Sequence, residues 1–282
     1  MEAHFFDIDT LITSDAHVWI VDKSRPSDCI LRIKPSDFNL IRSGVYKSQG
    51  NKLSFAGHDY YLPDEIAGGV KIRGKVKNYD TSNLAFSMRE FQDPDLIKSS
   101  NHKVDLDAVV HLKNTQDDVY IICSRNIKSA YDNVIAKLES KLEELGIKPK
   151  NYYFISETFH ERDEDETSFD KVRLLLQHLA GHRTEGRKFT DDRVDAYDKV
   201  HFYDEDDSST RFALEASDLL GVLLENSSDD IKSAVRESVD DRKPELLVNT
   251  VTNNRMRKFV TKSVVLGRNN LIKSFESFRF LR

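Results

Sequence analysis

The chain has 282 residues, 39% of them hydrophobic and 32% charged, with a formal net charge of −6. That is enough apolar material for a core, yet no stretch approaches the roughly 20 consecutive apolar residues of a membrane-spanning helix. The acidic balance argues against the whole chain acting as a generic polyanion binder, and Cys29 and Cys123 form neither a metal pattern nor a disulfide framework. Glu2 and Asp7 are unlike the basic start of a secretory signal, so a cytoplasmic location is the expectation.

In chain order, "HFFDI" (residues 4–8) and "HVWIVD" (17–22) read as short strands rich in aromatic and β-branched types. From Lys23 to about Lys103, turn signals such as "SRPSD", "SQGN" and "AGG" alternate with short β-like pieces. This predicts an irregular, partly β insertion with little helix. The texture then becomes regular. Residues 105–116 suggest a helix capped by Asp105, and "DVYIICS" (118–124) is a strongly apolar strand. Residues 127–145 carry apolar side chains near a 3.6 period and stop at Gly146. "NYYFIS" (151–156) is another strand, and an acidic stretch over Glu157–Asp170 reads as a solvated loop. Residues 168–180 look helical, "KVHFYDEDD" is a strand ending in acids, and "STRFALEASDLLGVLLE" is one helix.

Strand and helix alternating in this way predict an α/β fold with a parallel sheet and crossover helices. Ligands of such sheets sit at the carboxyl ends of the strands. Asp7, Asp9, Ser124 and the acids Asp204, Glu205, Asp206 and Asp207 would then share one rim. Acid, hydroxyl and acid at separate strand ends suit phosphoryl transfer around a hard divalent ion such as Mg²⁺. One carboxylate can attack phosphorus and another can protonate the departing oxygen.

On these residues the chain resembles the haloacid dehalogenase-like (HAD) superfamily. "FFDIDTLI" is similar to its first motif, "VYIICSR" to its second, Lys171 in "SFDKVRLLLQHL" to its third, and "VHFYDEDD" to its fourth. Thr10 and Leu11 stand where many phosphatases of the superfamily have Gly then Thr or Val. The resemblance implies a three-layer sandwich with a mostly parallel, Rossmann-like sheet. It covers residues 1–22 and 104–225 as core, with a cap-like insertion over 23–103 and a C-terminal extension over 226–282 packed on the core.

The resemblance also implies a Mg²⁺-dependent phosphatase acting on a phosphomonoester, including a nucleotide or nucleic-acid end. Asp7 would be the nucleophile and Asp9 the general acid and base, with Lys171 neutralising phosphoryl charge. Ser124 and Arg125 would bind the phosphate; Asp7, Asp9, Asp204 and Glu205 would hold Mg²⁺. The segments "SDFNLIRSGVYK" and "FSMREFQDPDLI" are similar to parts of HAD-like proteins of tailed bacteriophages, which implies a phage origin and a host-cytoplasm location.

Other readings of single residues stay open. Ser124 can cap the helix that follows it, and Lys188 is an alternative to Lys171. His178 and His182, four apart, read as surface residues rather than metal ligands. Between Arg255 and Arg282, basic residues interleave with Phe259, Phe275, Phe278 and Phe280 against the lone acid Glu276. This could track nucleic acid, but the alternation in "KFVTKSVV" favours an edge strand followed by a docking segment. The alternative function is a HAD-like fold serving as a protein- or nucleic-acid-interaction module with weak or no catalysis.

Overall fold

A computed structural model describes residues 1–42, 44–47, 52–55, 58–63, 70–72, 75–77, 81–113, 115–124, 128–155, 164–205, 207–252 and 258–267. The chain divides into two compact units, one of residues 1–13, 103–128 and 132–282, the other of residues 14–102 and 129–131. No helix among the described residues is long and apolar enough to cross a membrane.

Among the described residues, the first unit is α/β and is built on a six-stranded sheet. Its strands are β1 (Glu2–Asp7), β2 (Asp118–Cys123), β3 (Asn151–Phe154), β4 (Lys199–Asp204), β5 (Glu245–Thr252) and β6 (Lys258–Val265), in the spatial order β3-β2-β1-β4-β5-β6. All neighbours run parallel except β6, which returns antiparallel along β5 as the edge strand. The helices are α1 (Lys128–Glu144), α2 (Glu164–Ala180), α3 (Asp207–Leu214), α4 (Ala216–Glu225) and α5 (Asp229–Arg242).

Register sets the rim. Phe6 lies beside Tyr203 and Asp7 beside Ile122, so Asp7 and Asp204 end adjacent strands at one level and Ser124 follows two residues beyond. Side chains alternate across a strand. Ala3 and Phe5 share a face with Tyr120, Ile122, Val200, Phe202, Leu246 and Val248, packed with the apolar side of α2 and with Val235 and Val239 of α5. Phe5 and Tyr120 stack at 4.5 Å. Each such ring buried contributes about 1.5–3 kcal/mol.

Helix ends follow their glycines. Gly146 has φ +74°, its amide reaches Glu143 O and the Ile147 amide reaches Leu142 O, the two bonds of a Schellman stop after α1. Gly181 ends α2 at φ +78°, and a Cβ there would stand 3.0 Å from Ala196 Cβ. That glycine changes the reading of the two histidines. His178 lies on α2 and His182 on the hairpin strand His182–Glu185, and both are buried, not surface residues. His178 Nδ1 meets the Asp195 carbonyl at 3.0 Å and its Nε2 meets the Tyr153 hydroxyl at 3.1 Å.

Burial pushes the His178 imidazole down from 6.5 to about 4. Between those values the unfolded chain takes up a proton that the folded chain refuses, so stability falls as pH falls, by about 3 kcal/mol. His178→Gln should therefore show a flatter dependence of urea midpoint on pH between about 6.5 and 4 than the parent. Equal slopes for the two proteins would contradict this assignment.

Two expected helices differ. Of the residues 105–116, those described form turns and irregular chain with a short 3₁₀ piece, Val110–Leu112, instead of a helix. The Asp105 carboxylate accepts from the Asp107 amide at 3.1 Å while the Asp105 amide donates to Leu11 O at 2.8 Å, so local bonds compete with helix propagation. The single helix expected after β4 is divided into α3 and α4 at Glu215, whose amide is shared between Arg211 O and Phe212 O.

The second unit holds a three-stranded antiparallel sheet ordered Arg25–Ile33, Val18–Asp22, Leu84–Ser87, with smaller hairpins and short helices at Pro35–Arg42, Arg89–Gln92 and Pro94–Ser99. Val18, Ile20, Ile33, Phe38, Ile41, Leu53, Leu62, Leu84 and Phe86 form its core. The unit starts at Ser14 rather than at residue 23 because Val18–Asp22 pairs within it. Glu90 is buried there and accepts from the His17 amide at 2.8 Å and from Trp19 Nε1 at 2.5 Å, with Arg32 alongside.

Candidate active site

β1 delivers Asp7 at its last position because the apolar run before it is buried on both faces and the chain must turn where the acid appears. The turn is a 3₁₀ piece, Ile8–Thr10. Asp7 organises it: its Oδ2 accepts from the Asp9 amide at 3.2 Å, and its carbonyl accepts from Thr10 Oγ at 2.6 Å. Thr10 is thus a buried clamp on the backbone of Asp7. Asp9 is half-buried.

Lys171 comes from α2. Its Nζ lies 2.8 Å from Asp7 Oδ1 and 2.7 Å from Asp204 Oδ2, and all three residues are at most 3% exposed. Three separate elements therefore converge on one dry cluster. Burial pushes the Asp7 carboxyl up, Lys171 pulls it back, and Asp204 and Asp9 push it up again, to about 7. For Lys171, burial works against the proton, but Asp204 and Asp7 outweigh it and hold the ammonium well above its ordinary value.

What fixes Lys171 is the rest of α2. Asp170 and Arg173 form a buried pair at 3.0 Å, Arg173 also reaches the Gly186 carbonyl, and Ser168 Oγ meets Ser209 Oγ of α3 at 3.3 Å. This supporting pair was not read from the sequence. The signal was present: an acid and an arginine three apart, entering the apolar run "VRLLLQHLA", can be buried on a helix only as partners.

The other sequence candidates fall as follows. Ser124 is half-buried just past the end of β2. Arg125 and Asp206 lie outside the described residues, as do residues 253–257 and 268–282 of the basic C-terminal stretch. β4 ends at Asp204, which is buried, while Glu205 is exposed. Lys188, the alternative lysine, is exposed on the hairpin strand Lys188–Arg193. The arrangement offers a carboxylate backed by an ammonium, a second buried carboxylate and a nearby acid, which is the equipment for attack on an electrophile and for proton transfer.

No family model matches the chain, and no curated protein or solved structure matches it.

Proposed function

We propose that the chain is a HAD-like phosphatase, a three-layer Rossmann-like sandwich that hydrolyses a phosphomonoester through an aspartyl-phosphate intermediate. The single observation that carries this reading is Lys171 held between Asp7 and Asp204, each from a different element. Two buried carboxylates against one ammonium leave surplus negative charge in a dry site, and an all-oxygen donor set of that charge suits a hard divalent cation. Asp7, the Asp9 backbone carbonyl and Asp204, with Glu205 as neighbour, would hold Mg²⁺. When bound, the ion supplies charge neutralisation at the phosphoryl oxygens.

In the reaction, an Asp7 carboxylate oxygen attacks phosphorus and the P–O bond to the leaving group breaks. Asp9 gives its proton to the departing oxygen, then takes one from the water that cleaves the aspartyl phosphate. Ser124 and Arg125 hydrogen-bond the phosphoryl oxygens, and Lys171 opposes the charge that accumulates on them. The substrate is a phosphorylated small molecule, a nucleotide or a nucleic-acid end, and the setting is the cytoplasm, that of the host if a phage encodes the chain.

Purified protein with Mg²⁺ is expected to hydrolyse an activated aryl phosphate. Asp9→Asn should lower turnover by about 10²–10⁴-fold, the usual share of a general acid–base group, with less effect on esters of good leaving groups, which need little protonation. Absence of metal-dependent turnover across phosphomonoesters and 5′- or 3′-phosphorylated oligonucleotides would sink the enzyme reading and favour the interaction-module alternative.

A further inference from the structure

The face of β1 turned away from Asp7 carries groups that the proposed reaction does not use. Glu2, His4 and Phe6 alternate with Ala3, Phe5 and Asp7 along the strand, so they point to the other side of the sheet. β4 runs alongside in register, pairing His4 with His201 and Phe6 with Tyr203. As a result, ligand atoms of Glu2, His4 and His201 lie within 4.8 Å of one another. They sit near the amino ends of β1 and β4, at the opposite end of these strands from Asp7 and Asp204.

The two ring nitrogens of His4 have different surroundings. The Tyr203 hydroxyl lies 3.2 Å from His111 Nε2. Burial, and then His201, push His111 below its ordinary value. The Tyr203 hydroxyl also lies 3.2 Å from His4 Nδ1. The other ring nitrogen of His4, Nε2, faces away from that hydroxyl. That nitrogen is buried and makes no hydrogen bond, and the Asp117 carboxylate stands 3.6 Å from it.

A buried ring nitrogen without a hydrogen-bond partner is a polar group that calls for one. Around it, His201 Nε2 is 3.0 Å from Glu2 Oε2, and Lys199 holds the other Glu2 oxygen at 3.0 Å. We propose that Glu2, His4 and His201, with Asp117 beside them, form a binding site for a borderline divalent transition-metal ion, Zn²⁺ foremost. Two imidazole nitrogens with carboxylate oxygens favour such an ion over Mg²⁺, which prefers oxygen alone. The His4 and His201 rings stack at 4.3 Å and 11°, a geometry in which two lone pairs cannot meet at one point. Loading the site therefore swings the His201 ring, 18% exposed, out of the stack, while the buried His4 keeps its place, oriented by Tyr203.

The test uses the full chain without a histidine tag, stripped with chelator and titrated with Zn²⁺ by calorimetry, with metal content measured after gel filtration. With excess Mg²⁺ present to occupy the oxygen-only site, one equivalent of Zn²⁺ per chain is expected, with a raised melting temperature. His201→Ala and Glu2→Gln, chosen because both positions are partly exposed, should each weaken binding by at least about tenfold while melting cooperatively. Asp204→Asn should retain Zn²⁺ uptake, which separates this site from the candidate active site whether or not phosphatase activity exists. No uptake, uptake unchanged in both His201→Ala and Glu2→Gln, or uptake lost only in Asp204→Asn would overturn the proposal.

Discussion

Asp7→Asn is expected to reduce hydrolysis of an aryl phosphate by on the order of 10⁴-fold or more, the scale of loss when a covalent nucleophile is removed, without loss of stability. The two outcomes have one cause. An amide cannot form the acyl phosphate, so the first step has no other route in the site. Yet the same substitution removes one of two buried carboxylates that share a single ammonium. What remains is Lys171 paired one-to-one with Asp204 at 2.7 Å, a better-balanced buried cluster. Active sites hold such unfavourable charge for function, and relieving it usually stabilises. The urea midpoint of Asp7→Asn in metal-free buffer should equal or exceed that of the parent. A variant that stays active, or that is inactive only because it unfolds, contradicts the role given to Asp7.

The strands that position the site were legible because each is an apolar, β-branched or aromatic run cut off by a polar residue. "HFFD", "DVYIIC" and "KVHFYD" end in the structure at Asp7, Cys123 and Asp204, within a residue or so of where the pattern breaks. What the pattern could not fix was which acid of "DEDD" turns inward. The structure answers through alternation: Asp204 falls on the face of Phe202 and is buried, so Glu205 points out. Nothing local marks Lys171 as buried; only tertiary contact with two acids makes that burial tolerable.

The failures have the same origin. Residues 105–116 have enough apolar side chains for a helix, and Ala108, Val109 and Leu112 are indeed buried. Two aspartates two apart gave the backbone a competing set of bonds. His178 and His182 looked like neighbours on a helix because the sequence spacing ignores the left-handed turn at Gly181. His4 was read only as part of an apolar strand, because its significance depends on His201, a partner 197 residues away in sequence that register alone brings beside it.

Lys171→Met is expected to destabilise the fold by about 3–5 kcal/mol, the cost of leaving buried charge without its partner. Methionine matches the length of the lysine stem and avoids a cavity, so the effect reads charge rather than volume. With the ammonium gone, Asp7 and Asp204 face each other across a site where neither is more than 3% exposed, and like charges at that range force protonation or local opening. The decisive comparison adds Asp7→Asn and Asp204→Asn to Lys171→Met. If the loss arises from orphaned charge, the triple variant recovers most of the urea midpoint, because a neutral buried cluster carries only hydrogen-bonding costs. If it arises from lost packing of α2, the triple variant stays as unstable as the single one. Recovery would tie the placement of α2, and with it the geometry of the whole candidate site, to one ammonium group.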